Sequence, residues 1–479
     1  MRFLFHLRWL AALACWLGGM SLAQATHILG GEITYSSIAS TTAGVPRYHV
    51  VARLFRDPTK VDQPQITLVA SNGGCGAASR SSFTLTIPRQ QRLSSPGSVC
   101  SPVGTLTNYD LGTYEADLDL PAGQWTLSVT MENRQENIVN ASNSIATNTY
   151  ISAFLDNTLA PQDASPKFES VVVPRFDGTA IPAYSLSAFD TDGDSLHYDF
   201  VQPQMVAGGA VRGGDCSLPV TGVQAAPHFL LASNTGALLP ATPSPHQGFY
   251  IAAVRVSEYR RLAGQWQLIG YVMRDLTYLV AISTNQVPTF TGLRVDGGTT
   301  QPTNQLLRVQ AGQTMRLTLT AADPDAGQQL RFASDAPSVV PGLSLTTLSS
   351  TQVQLTWQVP ATLPPGRYSI PVAVLDDGCP YNASQEATLV FVVSNQALAA
   401  RTATQPAAEA YPVPFREQVQ LRAQPGQAVT IVDALGRAVA QLHSGPDGRM
   451  LWQPAAGLPA GLYLARTADG QLLARLLRE

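Results

Sequence analysis

Acidic side chains on a glycine turn are the first residues in this chain whose spacing could do chemistry. Asp190, Asp192 and Asp194 fall on alternate positions around Gly193 in AFDTDGDSLHYDF (188–200). Carboxylates so spaced on a tight turn converge on one point, and Gly193 can take the positive φ that lets the backbone wrap. Ca2+ takes six to eight hard oxygen ligands, so three aspartates only begin its shell. Glu258 and Asp199 are the nearest candidates to extend it. A second, sparser turn carries Asp323 and Asp325, with Gly327 where a third acid would stand and Asp376 and Asp377 at a later strand end. The alternative is a solvated polar turn, since Asp and Gly are turn residues in any case. Crowding three like charges makes a bare loop costlier, so Ca2+ is favoured at the first turn. At the second, the two readings stand level.

Other chemistries find little support. Adjacent aspartates on a turn do not make the two-sided cleft of a glycosidase. The chain has no His-Glu-x-x-His, no Gly-x-Ser-x-Gly and no phosphate-cradling glycine loop. Its histidines are scattered, and His197 reads as the polar side of a strand. No Cys-x-x-Cys pair suggests zinc. Lys60 and Lys167 are the lysines among 30 basic residues, and no basic cluster marks a nucleic-acid partner.

The elements that must hold these turns are strands. Trp125, Leu127, Val129 and Met131 alternate with polar residues, as do Phe83, Leu85 and Ile87, and Met315, Leu317 and Leu319. Hydrophobic residues make up 45% and charged residues 13%, with 38 Gly and 34 Pro to make turns. This predicts an all-β chain of tandem Ig-like β-sandwiches. One turn recurs: Leu120-Pro121-Ala122-Gly123-Gln124-Trp125, Leu363-Pro364-Pro365-Gly366-Arg367-Tyr368 and Leu458-Pro459-Ala460-Gly461-Leu462-Tyr463. Pro suits its second position and Gly its fourth. The strand–Asp-x-Asp–strand pattern recurs too, with Asp190 and Asp323 one sandwich-sized interval apart. Boundaries are expected near 160, 285 and 395. They give a β-rich domain (26–160), two Ig-like domains (161–285 and 286–395), an Ala/Thr/Pro-rich linker (396–410) and a terminal module (411–479).

Residues 1–25 read as a signal peptide: basic Arg2 and Arg8, an apolar core from Trp9 to Gly19, then Ala23-Gln24-Ala25. Removing them moves the formal charge from −3 to −5. An exported chain can oxidise its cysteines. Cys75 and Cys100 are the candidate bridge, worth roughly 3 kcal/mol. The pairing of Cys216 and Cys379 stays open.

Three terminal motifs occur in order: Tyr411-Pro412-Val413-Pro414-Phe415, VTIVDALGRAV (429–439) with Gly436 and Arg437, and LPAGLYLARTADGQLLARLLRE (458–479) with Gly461 and Tyr463. Together they resemble the C-terminal sorting domain of the type IX secretion system of Bacteroidetes-type bacteria. Arg475 and Arg478 stand where that family usually has lysines. The resemblance implies a small β-sandwich that addresses the chain to that machinery, through periplasm and outer membrane. Further motifs are ATHILGGEITY (25–35), YHVVARLFRD (48–57), ENRQENIVN (132–140), ASPKF (164–168), GFYIAAVRVSEYR and DDGCP (376–380). They resemble secreted gliding-motility-associated or cadherin-like proteins of the same bacteria. That resemblance implies a secreted or surface-displayed, non-enzymatic, adhesin-like protein and supports Ca2+ at the aspartate turns; it names no glycan or protein ligand. The alternative is a carbohydrate-binding accessory protein or diverged hydrolase, with a groove lined by Trp125, Tyr114 or other aromatics.

Overall fold

The structure is a computed structural model. It describes residues 28–73, 81–94, 109–142, 147–170, 175–177, 182–206, 216–224, 228–241, 246–379, 382–395, 410–433, 437–455, 457–467 and 472–479. The signal peptide, Cys75, Cys100, Gly436 and residues 396–409 of the linker lie outside them. Among the described residues the chain is all-β, with one short 3-10 turn at Ala336–Ser338. Among the described residues no helix is long and apolar enough to cross a membrane. Two units separate, residues 1–398 and 399–479.

The N-terminal strands do not form a domain that ends near 160. Seven antiparallel neighbours run in the order Ile28–Ile38, Arg47–Arg56, Asp110–Asp119, Ser81–Ser94, Gln65–Asn72, Gln124–Met131 and Thr149–Asp156. The strand Gln265–Ala281 then seals the seam. One of its edges takes Gly248–Leu262 along its whole length. Its other edge takes Thr149–Asp156 at Gly270 to Val272 and Ile28–Ile38 at Asp275 and Leu276. The sheet thus rolls shut, and the final hairpin of the expected second domain belongs to the first. Gly30 makes the seam possible: its φ is +140°, and a Cβ there would lie 2.1 Å from the Asp275 carbonyl oxygen. One continuous core results, from Ile33 and Tyr35 through Leu127 and Ile151 to Val254 and Val272.

Residues 286–395 form a β-sandwich. One sheet orders Thr289–Val295, Thr314–Ala322, Gln352–Gln358 and Leu343–Ser349. The other orders Leu306–Gln310, Ser384–Ser394, Gly366–Leu375 and Arg331–Ala333. Trp357, Phe391, Leu319 and Ile370 fill the space between them. The terminal unit is a smaller sandwich packed around Phe415, Trp452, Tyr463 and Leu476. There Tyr411 is 77% exposed, Phe415 is buried, and the Asp433 carboxylate accepts from the Arg437 amide and guanidinium.

The recurrent Leu-Pro-x-Gly-x-aromatic turn has one physical cause in all three places. The aromatic side chain folds back and donates to the proline carbonyl four residues earlier. Trp125 Nε1 reaches Pro121 O at 2.8 Å, Tyr368 OH reaches Pro364 O at 2.7 Å and Tyr463 OH reaches Pro459 O at 2.6 Å. Each bond satisfies a turn carbonyl while the ring enters the core, as a tyrosine corner does.

Candidate cation site

The Asp190 turn builds itself from its first acid. Asp190 Oδ1 accepts from the backbone N–H of Asp192 (2.9 Å) and Asp194 (3.0 Å), an arrangement that Asp side chains favour locally. Gly193 has φ +78°, and a Cβ there would sit 2.6 Å from Pro364 Cβ of the following sandwich. The loop is therefore pressed onto the Pro364–Tyr368 turn, where Phe189 and Tyr368 lie with ring centroids 5.2 Å apart.

Glu258 comes from the strand Gly248–Leu262 at a register shift, the bulge between Glu258 and Tyr259 opposite Gly270. Alternation along that strand puts Glu258 on the same face as the core residues Val254 and Val256. Here the carboxyl is turned inward and is fully buried. Asp163, also buried, enters from the loop after Thr149–Asp156, with its Oδ2 lying 3.3 Å from the Tyr35 hydroxyl.

Arg260 gathers three of these acids. Its Nη2 donates to Asp163 Oδ1 at 2.7 Å, Asp192 Oδ2 at 3.2 Å and Asp194 Oδ2 at 2.5 Å; its Nε donates to Asp194 Oδ1 at 2.8 Å. A guanidinium thus answers much of the charge that the aspartate turn concentrates.

It does not answer all of it. Asp190 Oδ2 and both Glu258 oxygens are buried and find no hydrogen-bond donor while ionised; a protonated Glu258 can donate to the Asp163 carboxylate. Burial pushes the Asp190 carboxyl up to about 8, and its acidic neighbours add to the shift. Burial, then Asp190, raise Glu258 well above the usual range. Burial likewise raises Asp163 to about 6 against the pull of Arg260. Ionised carboxyls cannot stay unpaired in such a place, so the pocket must hold either protons or a further cation.

Two triads lie close enough for single ions, each with ligand oxygens within 4.8 Å of one another: Asp163, Asp192, Asp194 and Asp190, Asp194, Glu258. The second contains the donorless oxygens, and its all-carboxylate chemistry fits a hard divalent cation such as Ca2+. Asp190, Asp194 and Glu258 would hold that ion.

Asp199, considered as a further ligand, lies elsewhere: its oxygens face Arg255 at 3.5 Å and His197 at 3.2 Å. Asp163 and Arg260 were not foreseen. Arg260 stands two residues beyond Glu258 on one strand, the spacing that would have suggested a shared face. Nothing local announces Asp163.

The second expected site is not assembled. Asp323 Oδ1 repeats the turn by accepting from Asp325 N at 2.8 Å. Amides take most of the remaining carboxylate oxygens. Asp325 accepts from Gln286 N (2.7 Å) and Nε2 (2.9 Å). Asp376 accepts from Gly378 N, Ala383 N and Asn285 Nδ2, and Asp377 accepts from Gln329 N. Among the described residues, no three of Asp323, Asp325, Asp376 and Asp377 come together as the first-turn acids do. Neutral donors of the junction, Asn285 and Gln286, take carboxylate oxygens of Asp376 and Asp325 there.

Cys216 and Cys379 are each disulfide-bonded. The aromatics proposed to line a groove are core residues instead: Trp125 is 5% and Tyr114 1% exposed.

No family model and no curated protein matches this chain. Solved structures similar to it include the titin domains Z1Z2 in complex with telethonin, at 16% identity over 41% of this chain and 98% of that one, with a TM-score of 0.16. Human protocadherin-24 EC1-2 is 14% identical over 49% and 99%, with a TM-score of 0.17. The BSP domain of a biofilm-associated protein is 10% identical over 94% and 95%, with a TM-score of 0.13. Likenesses of this size carry no inference about function.

Proposed function

We propose that the chain is an exported, non-enzymatic, adhesin-like protein whose β-sandwiches present a binding surface and are stabilised by Ca2+ at Asp190, Asp194 and Glu258. One observation carries this reading. The acidic cluster lies buried where the rolled N-terminal sheet meets the following sandwich, with three carboxylate oxygens that find no donor. A buried cluster of this kind suits a structural ion better than a reaction that needs substrate access. Residues 411–479 address the chain to the type IX machinery and so to the cell surface or the medium; the motifs Tyr411–Phe415, Asp433–Arg437 and Pro459–Tyr463 support that assignment.

The rival, a carbohydrate-binding accessory protein or diverged hydrolase, loses Trp125 and Tyr114 as lining residues. Trp266, 62% exposed on the Gly248–Ala281 hairpin, is the aromatic at which a glycan would be sought.

Thermal unfolding of the mature chain with Ca2+ and with chelator tests the calcium reading. A ligand that binds only the folded state raises the melting temperature by mass action, and identical curves would remove it. A glycan array and hydrolase screen separates the rival, which tight glycan binding or turnover would favour. Deleting residues 411–479 in the native host tests the address: the chain should be retained, and undiminished export would refute the assignment.

A further inference from the structure

We propose that Arg260 is a resident cation occupying one of two adjoining cation positions, so that the cage accepts one divalent ion and loss of the guanidinium opens it to a second. This rests on the calcium reading above for the position that remains.

The two triads share Asp194 and differ in what fills them. In the first, a single atom, Arg260 Nη2, stands within 3.2 Å of an oxygen from each of Asp163, Asp192 and Asp194, the place a metal ion would take. In the other, no donor reaches Asp190 Oδ2 or either Glu258 oxygen, and both residues are buried. Asp194 can serve both positions, because each carboxylate oxygen has two lone pairs and Arg260 uses one on each. The guanidinium is fixed from below by the strand that carries Glu258, so the cage comes with its first cation already tethered. A tethered cation cannot be removed by a chelator, which keeps Asp163, Asp192 and Asp194 organised when Ca2+ is scarce. The charge, rather than the fork geometry, blocks the position, so an ammonium at the same place should block it too.

The experiment uses the mature chain, stripped with chelator and titrated with Ca2+ by calorimetry, with native mass spectrometry as a second count of ions. Wild type should take one Ca2+, and E258Q should lose it. R260K should take one, and R260Q should take two. A variant that unfolds in chelator is still informative, because the slope of stability against the logarithm of Ca2+ concentration counts the ions taken up on folding. That slope should double in R260Q and stay at the wild-type value in R260K. A wild-type count of two, or an R260Q count of one, would overturn the role of Arg260 and leave the calcium reading standing. No uptake by wild type or by R260Q would remove the calcium reading beneath it.

Discussion

Glu386 offers the most quantitative test of how the strand Tyr184–Ser185, packed on the first core, is joined to the following sandwich. It projects from the strand Ser384–Ser394, is 8% exposed, and accepts from the backbone N–H of Ser185 at 2.8 Å. Beside it Thr388 Oγ1 donates to Ser185 Oγ, which donates to Ser187 Oγ, which in turn donates to buried Glu169. The charged and titratable groups in reach are Glu169, Tyr184 and Arg274 from the first sheet's side and Asp335 from its own sandwich. Burial chiefly, with Asp335 adding and Arg274 opposing, pushes the Glu386 carboxyl up to about 8 from 4.5. It is therefore protonated in the folded chain at neutral pH and ionised once unfolded. Its contribution is whole below pH 4.5 and is lost progressively as pH rises to about 8, at about 1.4 kcal/mol per pH unit. Above 8 both states are ionised and the loss stops, near a total on the order of 5 kcal/mol. Glu386→Gln keeps the acceptor and the shape without the titration. Denaturant unfolding of both chains at each pH from 5 to 9 cancels the acids beyond the reach of Glu386 in the difference. The wild type should fall relative to the variant through that window and run parallel above it. Parallel profiles from 5 to 8 would show that Glu386 is already ionised in the fold and would refute this account of the junction.

Three further outcomes follow from the geometry. Gly193→Ala must place a side chain at φ +78° and against Pro364, so it should cost about 1–3 kcal/mol of unfolding free energy by denaturant titration, whereas Gly44→Ala, with open space around it, should cost about 1 kcal/mol from backbone strain alone. Arg134 and Asp275 form a buried two-bond pair at 2.8 and 2.7 Å; Arg134→Met should lose about 3–5 kcal/mol, and adding Asp275→Leu should recover much of it, which a double-mutant cycle by calorimetry would read. Tyr368→Phe and Tyr463→Phe each remove one hydroxyl-to-carbonyl bond, so each should lower stability by about 1 kcal/mol in its own unit; a loss confined to one of them would break the shared account of the recurrent turn.

Much of the local structure was legible because it depends on neighbours in sequence. Alternation gave the strands, and Leu-Pro-x-Gly-x-aromatic gave the corners, since turn and ring bond within four residues. Asp190 and Asp323 showed their turns for the same reason: each caps its own loop through the backbone N–H two residues on. Partners across the chain were not legible. Alternation says which face a side chain occupies and not which strand lies alongside. Gln265–Ala281 is buried on both faces from Ile269 onward apart from Tyr271, so it carries little alternation at all, and its role as the seam of the N-terminal sheet left no local trace. Asp163 is 97 residues from the arginine that binds it, and no motif spans that distance.

The two aspartate turns show how far one motif can diverge in electrostatics while its backbone persists. At Asp323 the chain surrounds the acids with amides from Asn285, Gln286 and Gln328, donors that fix a junction without a net charge. Among the described residues, Asp323 Oδ2 and Gln328 Oε1 are left buried without a donor there. At Asp190 it buries two more acids, Asp163 and Glu258, and supplies one arginine. Amide donors satisfy most of the carboxylate oxygens at the Asp323 turn without bringing any charge of their own. One guanidinium against five acids leaves the Asp190 turn dependent on protons or on an ion from solution. If the junction at Asp190 responds to Ca2+ and the one at Asp323 does not, the difference lies in Arg260 and Glu258, neither of which belongs to the turn motif.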